Sequence, residues 1–199
     1  MRKVIFLFLS LLFVTATKAQ TSDNWTMPDT LTRTTVKLKE YHKILKEFQN
    51  KDAVQLALHY DNCKWRGMSI QEFNDTFGPE EMGYDDKSYT KRLLLNFNDI
   101  MQQESGLKVG NTAPFIAHVI VNKVEMNAAI EAYALIVYND SIPFVKVNMS
   151  VEAGRWNKFS VLWRENTEKM AHILKKKIWR IRNYMMTEAD RETLIDTKW

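Results

Sequence analysis

Apolar side chains in this sequence keep more than one rhythm, and each rhythm predicts a different kind of element. Between Thr35 and Tyr60 they fall at Val36, Tyr41, Ile44, Leu45, Phe48, Val54, Leu56 and Leu58. Steps of three and four put such residues on one stripe of a helix. A break around Asn50 to Asp52 predicts two helices there rather than one. Ser69-Ile-Gln-Glu72 reads as a capping box, whose hydroxyl and carboxylate satisfy the free N–H groups of a helix start; Gly78-Pro79 ends the short helix that follows. A third, longer helix, capped by Asp85 or Asp86, runs through Leu93, Leu94, Phe97, Ile100 and Met101 to a stop at Gly106.

After Pro114 the rhythm changes. Phe115–Val124, Ala129–Tyr138, Ile142–Val151 and Trp156–Trp163 are rich in β-branched and aromatic residues, with turn signals at Asn139-Asp140-Ser141 and Glu152-Ala-Gly-Arg155. These predict a four-stranded antiparallel meander over about 115–163. Val145, Val147, Met149 and Val151 alternate with Phe144, Lys146, Asn148 and Ser150, which marks one buried and one wet face. The first two strands are apolar on both faces, so both sides of the sheet need cover there. A long amphipathic helix follows over about 167–186, with Met170, Ile173, Leu174, Ile178, Ile181 and Met185 on one stripe. The fold class is therefore α+β, with a helical N-terminal half, an antiparallel meander and a C-terminal helix.

The N-terminus predicts export. Arg2 and Lys3 precede an apolar run from Val4 to Val14, and Thr17-Lys18-Ala19 offers small residues at the positions a signal peptidase reads. Cleavage is expected after Ala19, giving a periplasmic or secreted protein. The apolar run is short of the roughly 20 residues needed to cross a bilayer, so an uncleaved anchor is the lesser reading. Residues 20–34 read as a flexible leader and 35–199 as one α+β domain.

Export changes the charge picture. The chain holds 28 Lys+Arg and 24 Asp+Glu; without Arg2, Lys3 and Lys18 this becomes 25 against 24, or +1. A mature domain so close to neutral is not a general polyanion binder, which argues against nucleic acid. The charge is nonetheless segregated: eight acids against three bases lie from Glu72 to Glu104, and six bases against one acid from Glu168 to Arg182. The two surfaces either face each other in the fold or leave the molecule bipolar. The lone Cys63 forms no internal disulfide, so the core must hold the fold.

Candidate chemistry is sparse. Trp179 lies nearly opposite the apolar stripe, among Lys175, Lys176, Arg182 and Asn183. It either packs beneath a capped terminal helix over Thr187–Leu194, or contacts a partner protein, or sits at membrane headgroups, where Trp and Lys or Arg are favoured. His118, Asn122, Glu131 and Tyr133 share a sheet face if the first hairpin is tight, and could line a pocket with an acid and a base. His59 and Cys63, four apart on a predicted helix, make half a metal site at most, so neither a metal nor a cofactor is assigned. The default for Cys63 is a packed structural thiol. No phosphate-binding glycine loop, nucleophile elbow or paired-carboxylate motif occurs, and no catalytic residue is assigned.

Residues 40–65, EYHKILKEFQNKDAVQLALHYDNCKW, followed by strands, resemble the opening of the nuclear transport factor 2-like cone folds, in which two helices precede a curved sheet with a pocket. The chain departs from that pattern by ending in a long basic helix, and no residue role is carried over. Two functions follow: a non-enzymatic protein that binds another protein or an envelope component, or a small-molecule-binding or hydrolytic domain with a pocket between sheet and helices. Intact-mass measurement on exported protein is expected to show a chain that begins at Gln20; a mass that retains Met1 to Ala19 defeats the export assignment.

Overall fold

The computed structural model describes residues 38–50, 54–76, 89–110, 113–152 and 158–183. The expected signal peptide, the leader, Gly78-Pro79, the caps Asp85 and Asp86, and Thr187–Leu194 lie outside the described residues. The architecture is α+β, with helices packed on a mixed sheet.

Helix α1, Leu38–Asn50, forms where expected and buries Ile44 and Phe48, with Tyr41 and Leu45 at the rim of the core. The second helix expected before Tyr60 is instead strand β1, Gln55–His59. Val54, Leu56 and Leu58 are spaced by two, and that spacing buries all three once the segment pairs with another strand. A turn at Tyr60–Cys63 leads to the two-residue strand β2, Lys64–Trp65. The N-terminal half is thus mixed rather than helical.

The capping box is present as read. Ser69 N–H donates to Glu72 Oε2 at 2.8 Å and Glu72 N–H to Ser69 Oγ at 3.2 Å, opening α2, Ile70–Thr76. Helix α3, Tyr89–Ser105, buries Leu93, Phe97, Ile100 and Met101 and ends at Gly106. That glycine takes φ +71°, and its N–H returns to the Gln102 carbonyl at 3.1 Å.

Strands β3, Phe115–Val124, β4, Ile130–Tyr138, and β5, Ile142–Val151, form an antiparallel unit close to the expected boundaries. Asn139 and Asp140 both take positive φ, and Ser141 N–H donates to the Tyr138 carbonyl. This mirror-image turn matches strand twist, and Asn and Asp tolerate its backbone. The fourth neighbour in the sheet is not a meander strand but β1, parallel to β3, with β2 continuing along the same edge. A parallel return needs a long crossover, and α2 and α3 lie within it.

The expected strand at Trp156–Trp163 is overturned. Helix α4, Phe159–Arg182, begins inside it, because Phe159, Leu162, Trp163, Asn166, Thr167 and Met170 turn toward the core at helical spacing. A short apolar run does not distinguish strand from buried helix. Downstream the stripe is as read: Met170, Leu174, Ile178 and Ile181 are buried, and Ile173 packs at the rim. Phe144 departs from its wet-face expectation because a register shift between Ile136 and Val137 carries it into the core, where it meets Phe48 at 5.2 Å and Phe115 at 5.8 Å.

Every described helix contributes to one main hydrophobic cluster. Its aromatic centre is Trp163, 5.1 Å from Trp65, 5.7 Å from Phe97 and 6.3 Å from Phe159, ring centre to ring centre. The Trp163 indole N–H donates to the Leu93 carbonyl at 3.1 Å, so α3 and α4 are tied by one directional bond as well as by packing. The opposite sheet face carries a second, smaller cluster of Leu135 and Val137 with Ile120 and Tyr133, which matches the expectation of two apolar faces.

Removing the central ring leaves a cavity lined by side chains from β2, α3 and α4. Trp163→Ala is expected to lower unfolding stability in urea by about 3–5 kcal/mol. Trp163→Phe, which keeps most of the volume but loses the N–H, should cost about 1–2 kcal/mol. A loss below about 0.5 kcal/mol for the alanine variant would show that the ring is not the packing centre.

Candidate functional site

The outer face of α4 carries the partner residues expected from sequence. With one side of the helix committed to the core, about 100° of turn per residue brings His172, Lys175, Lys176, Trp179 and Asn183 to the opposite side, and all five are exposed. Trp179 is 53 % exposed. Its carbonyl accepts the Asn183 backbone N–H at 3.0 Å and side-chain amide at 2.8 Å, which closes the last turn and holds the segment helical beneath the ring. The segment proposed to cover Trp179 lies outside the described residues.

Arg182 does not share that face. It is half-buried, and its guanidinium stands 5.4 Å from the centre of the Phe48 ring on α1. Arg180, which the wheel did not single out, is half-exposed beside Lys176 and Trp179. Arg180 and Arg182 are the bases of the last turn of α4, where they favourably meet the helix dipole. The dipole does not account for Lys175, Lys176 or the ring.

Opposite charges meet along one seam. Helices α3 and α4 lie side by side and run the same way, with Trp163 against Leu93 and His172 Nε2 at 3.4 Å from Glu104 Oε2. Glu168 is held by Arg164 one turn earlier at 3.7 Å. Among the described residues Lys175, Lys176 and Arg180 make no ion pair, so the acidic and basic segments touch but do not neutralise each other there.

The second group of interest is a histidine pair. β1 and β3 place Ala57 beside His118 and His59 beside Ile120 on the face away from the described helices. The rings are stacked at 5.2 Å and 20°, with His59 Nε2 and His118 Nδ1 3.0 Å apart, so one nitrogen donates its proton to the other. Burial, together with the neighbouring imidazole, lowers the His59 pKa to about 4. Burial also lowers His118, partly opposed by the Asp140 carboxylate. Both rings are therefore neutral near pH 7.

Of the four expected pocket residues, His118 and Tyr133 share this outer face, where the Lys146 ammonium sits 4.7 Å from the Tyr133 ring centre. Asn122 falls at the register shift between Val121 and Lys123 and is exposed. Glu131 is exposed opposite Lys123. None of the four belongs to the main core cluster of described residues. No local spacing pairs His59 with His118, which is 59 positions away and is brought to it by β1–β3 pairing.

Cys63 is buried in the main cluster, and burial pushes its thiol up to about 12, which keeps it protonated and unreactive. Strand β1 ends at His59, which removes the helical spacing to Cys63. Among the described residues, no three His, Cys, Asp or Glu side chains are placed to hold a metal ion.

Comparison with known proteins finds no family model, no curated protein and no solved structure that matches this chain.

The histidine pair sets a pH dependence whose sign can be worked out. His59 binds its proton less readily when folded, so the unfolded chain takes up more protons below pH 6.5 and stability falls as pH drops from about 6.5 to about 4. Of the total acid destabilisation, about 2–3 kcal/mol is expected to trace to this ring. Urea unfolding at pH 7 and pH 4.5 should show a smaller acid loss in His59→Leu than in the parent; equal losses would remove the pair from the account.

Proposed function

We propose that the chain is an exported, non-enzymatic protein that works by binding another protein or an envelope component through the outer face of α4. The observation that carries this is Trp179, 53 % exposed between Lys175, Lys176 and Arg180, none of which is ion-paired among the described residues. Scattered exposed apolar residues are ordinary on a protein surface, and Leu95 and Met126 on this chain need no more explanation than that. Trp179 differs because it is the largest side chain type, is held on a rigid helix, and is ringed by cations. Trp and Arg recur at the centre of binding sites because they supply large contact area with little conformational entropy to lose. No described helix is long and apolar enough to cross a membrane, so surface contact rather than insertion is the mode proposed.

A second function, small-molecule binding or hydrolysis, draws on the His59–His118 pair. Two neutral, hydrogen-bonded imidazoles can relay a proton, and Tyr133 lies on the same face. That site would lie on the sheet face that carries Leu135 and Val137.

Trp179→Ala tests the favoured function. Half of the ring is already in water, so the melting temperature should shift by no more than about 2 °C. A photo-crosslinking amino acid at position 179 should trap a defined partner in the native envelope, and charge reversal at Lys175 and Lys176 should abolish that adduct. A large melting shift together with unchanged crosslinking would return Trp179 to a structural role.

A further inference from the structure

We infer that the outer face of α4 docks on the surface of an anionic phospholipid bilayer. This rests on the proposal above that the same face is the binding surface, and names its partner.

Composition separates lipid from protein here. Protein interfaces are enriched in Trp and Arg but depleted of Lys, and their centres are groups of apolar side chains. On this face the cations are mainly lysines: Lys169, Lys175 and Lys176 are exposed, with Arg180 half-exposed. The aromatic is solitary, since the other exposed large apolar residues among those described, Leu95 and Met126, belong to α3 and to the turn between β3 and β4. A single Trp flanked by lysines is the composition that suits the headgroup layer, where the ring sits at the boundary and ammonium groups meet phosphates.

Geometry agrees. Because α4 lies lengthwise on the core along its Met170, Leu174, Ile178 and Ile181 stripe, its far side is tangent to the molecule. Lys169 to Arg180 then spans about 17 Å of helix that can lie flat on a membrane plane. The acids nearest this strip are Glu165 and Glu168 on α4 itself and Glu104 on α3, of which Glu168 and Glu104 are in contact with Arg164 and His172; the four cations Lys169, Lys175, Lys176 and Arg180 outnumber them. Each lysine near an anionic surface strengthens partitioning about five-fold at moderate salt, and the effect fades within one screening length.

The test is sedimentation of the purified protein with vesicles of 7:3 phosphatidylcholine to phosphatidylglycerol, against phosphatidylcholine alone, at low and high salt. Binding is expected only to the anionic vesicles and only at low salt. Lys175→Ala and Lys176→Ala should each weaken it about five-fold, and Trp179→Ala should weaken it with its melting temperature retained. The chain has six tryptophans, so the vesicle-induced fluorescence blue shift is read as the difference between parent and Trp179→Phe. All variants are compared in the same chain, which cancels any contribution of the N-terminal residues. Absence of low-salt binding by a folded protein overturns the inference, as does binding that the three substitutions leave unchanged. If vesicles fail while residue 179 still crosslinks a protein in the envelope, the lipid assignment falls and the binding face stands; if both fail, both fall.

Discussion

Burial of the Trp163 ring is the constraint from which the rest of the helical layer takes its position. Its faces are shared by Trp65 of β2, Phe97 of α3 and Phe159 of α4, and its single donor is satisfied by the Leu93 carbonyl. A buried indole that failed to place its N–H would carry a desolvation cost of about 1–3 kcal/mol, so the bond selects one rotation of α4 among those that would bury the ring. Thr167 follows from the same turn, its hydroxyl donating to the Trp163 carbonyl at 2.7 Å. Asn166 donates to the Ala128 carbonyl at 2.6 Å, which ties α4 to the turn between β3 and β4, where Ala128 takes a positive φ. With that rotation fixed, Trp179 can only face outward, four and a half turns along the same helix.

The sheet divides the molecule into two environments with different physics. On the helix side, dispersion and apolar burial dominate, and the buried polar groups of Asn166 and Thr167 donate to backbone carbonyls. On the other side, Leu135 and Val137 are buried beside two histidines that burial holds neutral. A charge there must forgo hydration, and His59, only 7 % exposed, is hydrogen-bonded to a second imidazole. The outer face therefore couples packing to protonation, whereas Cys63, buried on the helix side, couples to nothing.

The binding face follows from a division of labour within α4. One side of the helix supplies Leu162, Trp163, Met170, Leu174, Ile178 and Ile181 to stability, which frees the other side from any packing duty. Cations there cost little while exposed, since water and counterions screen their mutual repulsion. They also do not reach the acids of α3 beyond the Glu104–His172 contact, so a field remains for an external anion. Arg182 is the exception, drawn back over Phe48 beside the Gln49 to Ile181 hydrogen bond that joins the ends of α1 and α4.

What the sequence by itself determined are the features that depend on neighbours within about one turn. The Ser69–Glu72 box, the Gly106 stop, the Asn139-Asp140 hairpin turn, the β3, β4 and β5 strands and the apolar stripe of α4 all rest on local sterics or on periods long enough to read. The wheel set Trp179 apart from the core stripe but left open whether a later segment covers it; its exposure is a finding of the structure. Tertiary structure decided the short ambiguous runs: Gln55–His59 became a strand because β3 offered a parallel edge, and Phe159–Trp163 became helix because Trp163 had an aromatic nest to enter. It also decided the long-range meetings that no spacing encodes, His59 with His118 and Arg182 with Phe48. Five residues with three or four apolar side chains fit either period, and the balance is tipped by partners brought together only when the whole chain folds.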